Sequence, residues 1–231
     1  MKTGSNYFNF KDLSKSIGDI TVFNYVGWSG LHVAKLLIPK GTKVTNTLIN
    51  DFFPDLNNKE KIFVTTKGNI EFKSDEFDLQ LKEFDAIDFI SGSKNYYFNS
   101  LKDTSIFMIG AKDTKICKDK SFFFNFKKDI EARNLWGGQI ISRPYEGKEL
   151  TLVLFDLKPG FKFEDKGHAN EQITWLTNGE MAFYSNGNKK TLTVDLGVSI
   201  GPNHVHGGVS GGALGFDAFF PKRIEEKYKK I

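Results

Sequence analysis

The sequence predicts an all-β fold built as two tandem β-barrels, each a double-stranded β-helix. Three observations predict it. Short runs rich in Val, Ile, Thr, Phe and Tyr alternate with Gly, Asn, Asp and Pro punctuation, the signature of short strands joined by turns. Long helical periodicity is nearly absent. The chain also repeats itself: Glu60–Ser74 shifted by 111 positions falls on Glu171–Ser185, with the Glu, Ile, Thr, Gly, Phe and Ser positions identical, which points to one module used twice.

The strand-like runs follow in order as Ile20–Val26, Val33–Ile38, Lys61–Thr66 and Ile70–Phe72, then Leu150–Leu157, Ile173–Thr177, Glu180–Tyr184, Thr191–Val194 and Leu214–Phe219. Ser185-Asn186-Gly187-Asn188 reads as a hairpin, because Asn-Gly accepts the positive φ that a tight hairpin turn demands. Two helical pieces are expected, over Lys128–Leu135 and over the charged tail Ile224–Lys230, where Glu precedes Lys by four residues. Pro39-Lys40-Gly41 corresponds to Pro159-Gly160, so the first copy carries an eight-residue insertion within Thr42–Lys59. The copies are placed at 1–125 and 126–231.

The chain has 231 residues, enough for two modules of this size. No run approaches the roughly 20 apolar residues of a membrane helix, so a membrane partner is not expected. Its formal net charge is +4, but only three of the 32 basic residues are arginine. A nucleic-acid reader leans on arginine for bidentate contacts, so no nucleic-acid partner is expected. One cysteine, Cys117, closes no internal disulfide and is read as incidental. The N-terminus lacks the apolar run of a signal peptide, and a cytoplasmic location is expected.

Three of the four histidines lie in the second copy: His168, His204 and His206. Imidazoles from separate strands, joined by a side-chain oxygen, hold divalent transition metals. The first copy offers nothing comparable, since Lys61 stands at the Gln172 position and Asn95 at the His206 position. His32 is read as structural. Phe52-Phe53, Tyr96-Tyr97-Phe98 and Phe122-Phe123-Phe124 are expected to fill cores and the interface between the copies, not to form a ligand cage. A nucleophile elbow, a dinucleotide fingerprint and a phosphate loop are all missing.

Two segments carry a resemblance. Gly160, five residues, Lys166-Gly167-His168, three residues, Gln172, six residues and Gly179 follow the spacing of one motif; Gly197, Pro202 and His206 follow that of another. Together they resemble the two signature motifs of the cupin superfamily. Asn170-Glu171-Gln172-Ile173, His206-Gly207 and Phe219-Phe220-Pro221-Lys222-Arg223 are similar to bicupins such as the metal-dependent isomerase of bacilysin biosynthesis. The resemblance implies a bicupin with a degenerate first barrel. It implies His168, Gln172 and His206 as ligands of one divalent transition metal (Zn, Fe, Mn or Ni). At the first histidine position of the motif this chain has Lys166. A protonated lysine has no lone pair, so Lys166 is open to three readings: a solvent-facing residue, a contact to a substrate carboxylate, or a charge in place of a metal.

The function expected is that of a metal-dependent isomerase or lyase acting on a small oxygenated acid or sugar acid in the second barrel. Lys166 and His204 are the candidate proton carriers, with Tyr184 a weaker one; Glu171 is expected to face out of the barrel. The alternative is a non-catalytic small-molecule binding or sensing module. A homodimer is left open.

Overall fold

The computed structural model describes residues 4–89, 95–113 and 121–223. In chain order the elements are β1 (Ser5–Asn9), β2 (Ser14–Ile17), β3 (Ile20–Val26), β4 (Leu31–Ile38), β5 (Lys43–Thr45), α1 (Asn46–Phe52), β6 (Lys61–Lys67), β7 (Ile70–Ser74), β8 (Asp78–Leu81), β9 (Asp85–Phe89), β10 (Tyr96–Ser100), β11 (Thr104–Ala111) and β12 (Phe122–Asn125). There follow β13 (Arg133–Leu135), β14 (Ile140–Glu146), β15 (Thr151–Leu157), β16 (Lys162–Asp165), β17 (Glu171–Ser185), β18 (Asn188–Leu192), β19 (Leu196–Ile200) and β20 (His206–Phe220). Cys117 and the expected helix Ile224–Lys230 lie outside the described residues. No helix among the described residues is long and apolar enough to cross a membrane.

The chain divides into two compact units, Phe8–Glu131 and Met1–Tyr7 with Ala132–Ile231. Relative to the expected cut at 125/126, the boundary falls at 131/132, and the first residues count with the second unit, through β1 on the edge of β19.

Each unit is a two-layered β-roll. In the first, a seven-stranded sheet runs β12-β9-β6-β11-β4-β3-β2 and a four-stranded sheet runs β5-β10-β7-β8. In the second, β17 and β20 are each 15 residues long and join both layers, with register shifts between Leu176 and Asn178 and between Gly179 and Met181 where the pair bends. One layer reads β1-β19-β17-β20-β15-β14-β13; the other adds β16 beside β20 and β18 beside β17. The two strand orders are the same once β6 and β7 are read as the halves of β17, and β11 and β10 as those of β20. The hairpin at Asn186-Gly187 forms as expected, with φ of 50° and 77° and Ser185 paired to Asn188.

The interiors differ. In the first unit Phe63, Phe72, Phe89, Tyr96 and Phe98 pack with ring centroids 4.6–6.3 Å apart. The inserted segment folds into α1, capped by the Thr45 hydroxyl on the Leu48 N–H, and then a 3-10 turn over Pro54–Leu56. Ile49, Phe53 and Leu56 from this segment join the core, each stabilising it by about 1.5–3 kcal/mol of apolar burial. Leu56 sits against Gly110, beside Lys61, so the insertion plugs this end of the barrel.

Two sequence expectations change. Residues 128–135 are not helical: Asn125 caps the Lys127 and Lys128 N–H groups and Asp129 caps Asn125, so side chains satisfy the backbone in a turn before β13. Phe122 and Phe123 are exposed on edge strand β12, and only Phe124 of that run is buried.

Candidate metal centre

The second unit encloses a cavity of about 980 Å³ that opens to the surface. His206 begins β20 and stands directly opposite Asp165, the last residue of β16. Paired residues on neighbouring strands share a face, so the Asp165 carboxylate is delivered to His206. Gly167 then turns the chain at a φ of +101°, where its Cα lies so near Asn203 that an added Cβ would fall 2.8 Å from the Asn203 carbonyl carbon. The Asn203 N–H donates to the His168 carbonyl at 2.7 Å. These two contacts zip the β16–β17 loop to the β19–β20 loop and bring His168 beside His206, ring centroids 5.5 Å apart. Ligand atoms of Asp165, His168 and His206 all lie within 4.8 Å of one another.

Gln172 completes the group. Its amide nitrogen donates to Asp217 Oδ1 at 3.0 Å and to Thr174 Oγ1 at 2.9 Å, and the Thr174 hydroxyl donates to the same Asp217 oxygen at 2.6 Å. With the nitrogen so committed, the amide oxygen faces His168 Nε2 at 2.9 Å. His206 Nδ1–H donates to the His204 carbonyl at 2.9 Å, which leaves the lone pair of the neutral ring on Nε2. His168 Nδ1 is buried and has no hydrogen-bond partner among the described residues.

Charge is balanced locally. Burial, then the Arg223 guanidinium, holds His168 below the ordinary histidine value. Burial also lowers His206, against the opposing pull of the His204 carbonyl and Asp165. Burial pushes the Asp165 carboxyl up, but the Gly167 N–H and the charges of His206, Arg223 and His168 outweigh it and bring the group below the usual range. Arg223 Nη2 lies 3.3 Å from Asp165 Oδ2, and the guanidinium covers the Phe219 ring at 4.9 Å. Neutral imidazoles, a carboxylate and a fixed amide oxygen are the donor set of a divalent transition-metal site.

The structure thus brings His168, Gln172 and His206 together, and adds Asp165, which the sequence reading passed over. Spacing equated Lys166 with the first histidine of the motif, on the assumption that strand alternation continues to His168. The strand ends at Asp165 and Gly167 breaks the alternation, so Asp165 faces His206 while Lys166 is exposed on the cavity rim. His204 does not line the cavity: its Nδ1 turns to the Gly201 and Pro202 carbonyls, at 3.2 and 2.9 Å. Tyr184 is likewise outside it, against the Phe163 carbonyl and Glu164. Glu171 does not line the cavity either, but it is fully buried and accepts from Ser199 at 3.3 Å.

In the first unit, register places Tyr96 opposite Ser74 as His206 stands opposite Ser185. Tyr96, one residue beyond the Asn95 expected, therefore occupies the His206 place. Lys61, in the Gln172 place, is 2% exposed and donates to the Lys59 carbonyl; burial lowers its amine to about 8. His32 is buried edge-on to Phe53, 6.4 Å between centroids.

No protein-family model and no curated protein matches the sequence. Solved structures match over nearly the whole chain. The Cupin 2 conserved barrel domain protein from Leptotrichia buccalis is 14% identical, with a TM-score of 0.65 over 94% of this chain and 96% of that one. Protein Ylba from E. coli, of family DUF861, is 12% identical, with a TM-score of 0.74 over 97% and 94%. The oxalate decarboxylase of Bacillus subtilis, a protein with Mn(II) centres, is 9% identical, with a TM-score of 0.68 over 93% and 76%. At these identities the likeness carries the fold, which is that of tandem cupin barrels.

Proposed function

We propose that the second barrel is a metal-dependent enzyme of the isomerase or lyase class, acting in the cytoplasm on an oxygenated acid. The observation that carries this reading is the convergence of Asp165, His168, Gln172 and His206 at one end of an open cavity. Those four residues would hold one divalent ion (Zn, Fe, Mn or Ni), which supplies a Lewis acid for a carbonyl or carboxylate oxygen. The Mn(II) centres of the structurally similar oxalate decarboxylase support manganese as the first ion to try. The likeness to the isomerase of bacilysin biosynthesis supports isomerisation, and rests on sequence alone.

The chain's own residues do the rest. Arg223 and Lys166, both lining the cavity, attract and orient a carboxylate; of the three readings of Lys166, its exposed place on the rim suits this contact. The His204 carbonyl acts through His206 by fixing its tautomer. Phe183 stacks on His206 at 5.9 Å and Phe219 lies edge-on to His168 at 5.4 Å; both exclude water from the imidazoles.

The second reading, a non-catalytic binding or sensing module, is favoured by one observation. Asp165, the carboxylate nearest the imidazoles, is already tied to the Gly167 N–H and to Arg223, which blunts it as a proton acceptor. Metal analysis of the purified chain tests the proposal: one ion per chain, lost in His168→Ala and in His206→Ala, supports it. A metal-free protein that binds none of the four ions sinks it.

A further inference from the structure

The cavity is two-faced. A ladder of rings runs from the surface inward to the ionisable end. Trp136 lies 5.7 Å from Phe161, Phe161 stacks at 6.3 Å on Phe163, Phe163 meets Phe183 at 6.3 Å, and Phe183 stacks on His206 at 5.9 Å. All five line the cavity. The outermost rung is unusual. Trp136 is 55% exposed, and it sits at the tip of the β13–β14 hairpin with a φ of +47°. A bulky residue seldom adopts that backbone, and a strained residue at a site rim is a reason to look for a role. Folding gains little from an indole left in water, but a ligand ring laid along it and Phe161 covers the exposed faces of both.

The volume points the same way. Cavities of roughly 300–1,000 Å³ accommodate drug-sized ligands, and about 980 Å³ stands at the upper end of that range. A diacid of a few carbons would leave most of it, and nearly all of the ring ladder, uncovered.

We propose that the cavity takes a carboxylate-bearing compound with a flat aromatic or other apolar body, its acid at the Asp165–His206–Arg223 end and its ring stacked along Phe161 and Trp136. The position of the acid rests on the function proposed above; the preference for an apolar body rests on the ladder alone. This narrows the substrate from a small acid or sugar acid to an amphipathic one.

Calorimetry on the full chain, with and without Mn(II), tests it with three probes: 4-phenylbutyrate, butyrate and D-glucuronate. The expected result is that 4-phenylbutyrate binds about tenfold or more tightly than butyrate, from the area of one buried ring, and more tightly than glucuronate. Trp136→Ala and Phe161→Ala should each cut that preference about threefold or more while leaving butyrate unchanged. Trp136 is exposed, so its truncation does not threaten the core. A preference within about twofold, a preference untouched by Trp136→Ala, tighter glucuronate binding, or no binding of any probe overturns the proposal. The two readings fail separately. Mn(II) bound without an aromatic preference refutes the ladder, whereas an aromatic preference without Mn(II) binding refutes the metal and leaves the ladder standing.

Discussion

Gln172 is oriented by Asp217: the amide nitrogen of the first points to a carboxylate oxygen of the second at 3.0 Å, on the side away from His168. The acidic partner accounts for an amide, and not a carboxylate, at this place. A glutamate at 172 would set two negative charges face to face and lose both donor contacts. Gln172→Glu should therefore weaken Mn(II) or Zn(II) binding about 10–100-fold, the usual cost of disturbing a ligand's support, although it adds a formally stronger ligand. Asp217→Asn in the same chain should recover much of the loss by removing the repulsion. Isothermal titration of the single and double variants measures this, and tighter binding by Gln172→Glu alone would refute the orientation argument.

The register of β16 against β20 makes a second prediction. Asp165 stands opposite His206, and Lys166 is on the rim. Asp165→Ala should lower metal affinity about tenfold or more, since even outer-shell losses reach that size. Lys166→His should leave it almost unchanged, because a histidine there starts from the exposed side of the loop. A large gain from Lys166→His, with no loss from Asp165→Ala, would restore the assignment by motif spacing.

Gly167 is the third test. Its φ of +101° is open to glycine alone at little cost, and an added methyl would meet the Asn203 backbone. Gly167→Ala should destabilise the second unit by about 1–3 kcal/mol in thermal unfolding. It should also weaken metal binding, by parting His168 from His206. Unchanged unfolding and affinity would mean that the two loops are not held together at this point.

These particulars show what a sequence can and cannot carry. The two barrels were legible in the repeat at Glu60–Ser74 and Glu171–Ser185 because strand period and turn chemistry are local properties. His168, Gln172 and His206 were legible through motif spacing. Asp165 was not, since one glycine's dihedral angle decides which of two neighbours faces inward. The one-residue slip from Asn95 to Tyr96 has the same origin: strand pairing sets the register, and pairing is not local. Glu171 alternates away from Gln172 as expected. Alternation does not reveal, however, that both sides of this strand are covered, and Glu171 is buried. The plug formed by α1 and the turn after it was visible only as extra length within Thr42–Lys59.

Lys61 yields the last prediction, on the first barrel. It holds the Gln172 place, but the barrel around it is filled by aromatic rings and closed by Leu56 over Gly110. Burial disfavours the charged amine and lowers it from 10.5 to about 8. Below pH 8 both the folded and unfolded chains carry the proton, and the fold bears the cost of a buried charge. Between pH 8 and 10.5 the unfolded chain still holds a proton that the folded chain has lost, so stability rises with pH. The gain between pH 8 and 9.5 should be about 2 kcal/mol, at 1.36 kcal/mol per unit. Tyr96 acts in the opposite sense only above pH 10, because its buried phenol is raised and resists ionisation that the unfolded chain undergoes. Denaturant unfolding from pH 7 to 9.5 therefore isolates the lysine. Lys61→Met should abolish the rise and, at pH 7, stabilise the protein by about 1–3 kcal/mol. Should the wild-type stability stay flat or fall over that range, Lys61 is not buried as a charge, and the first barrel is not the filled, plugged counterpart of the second.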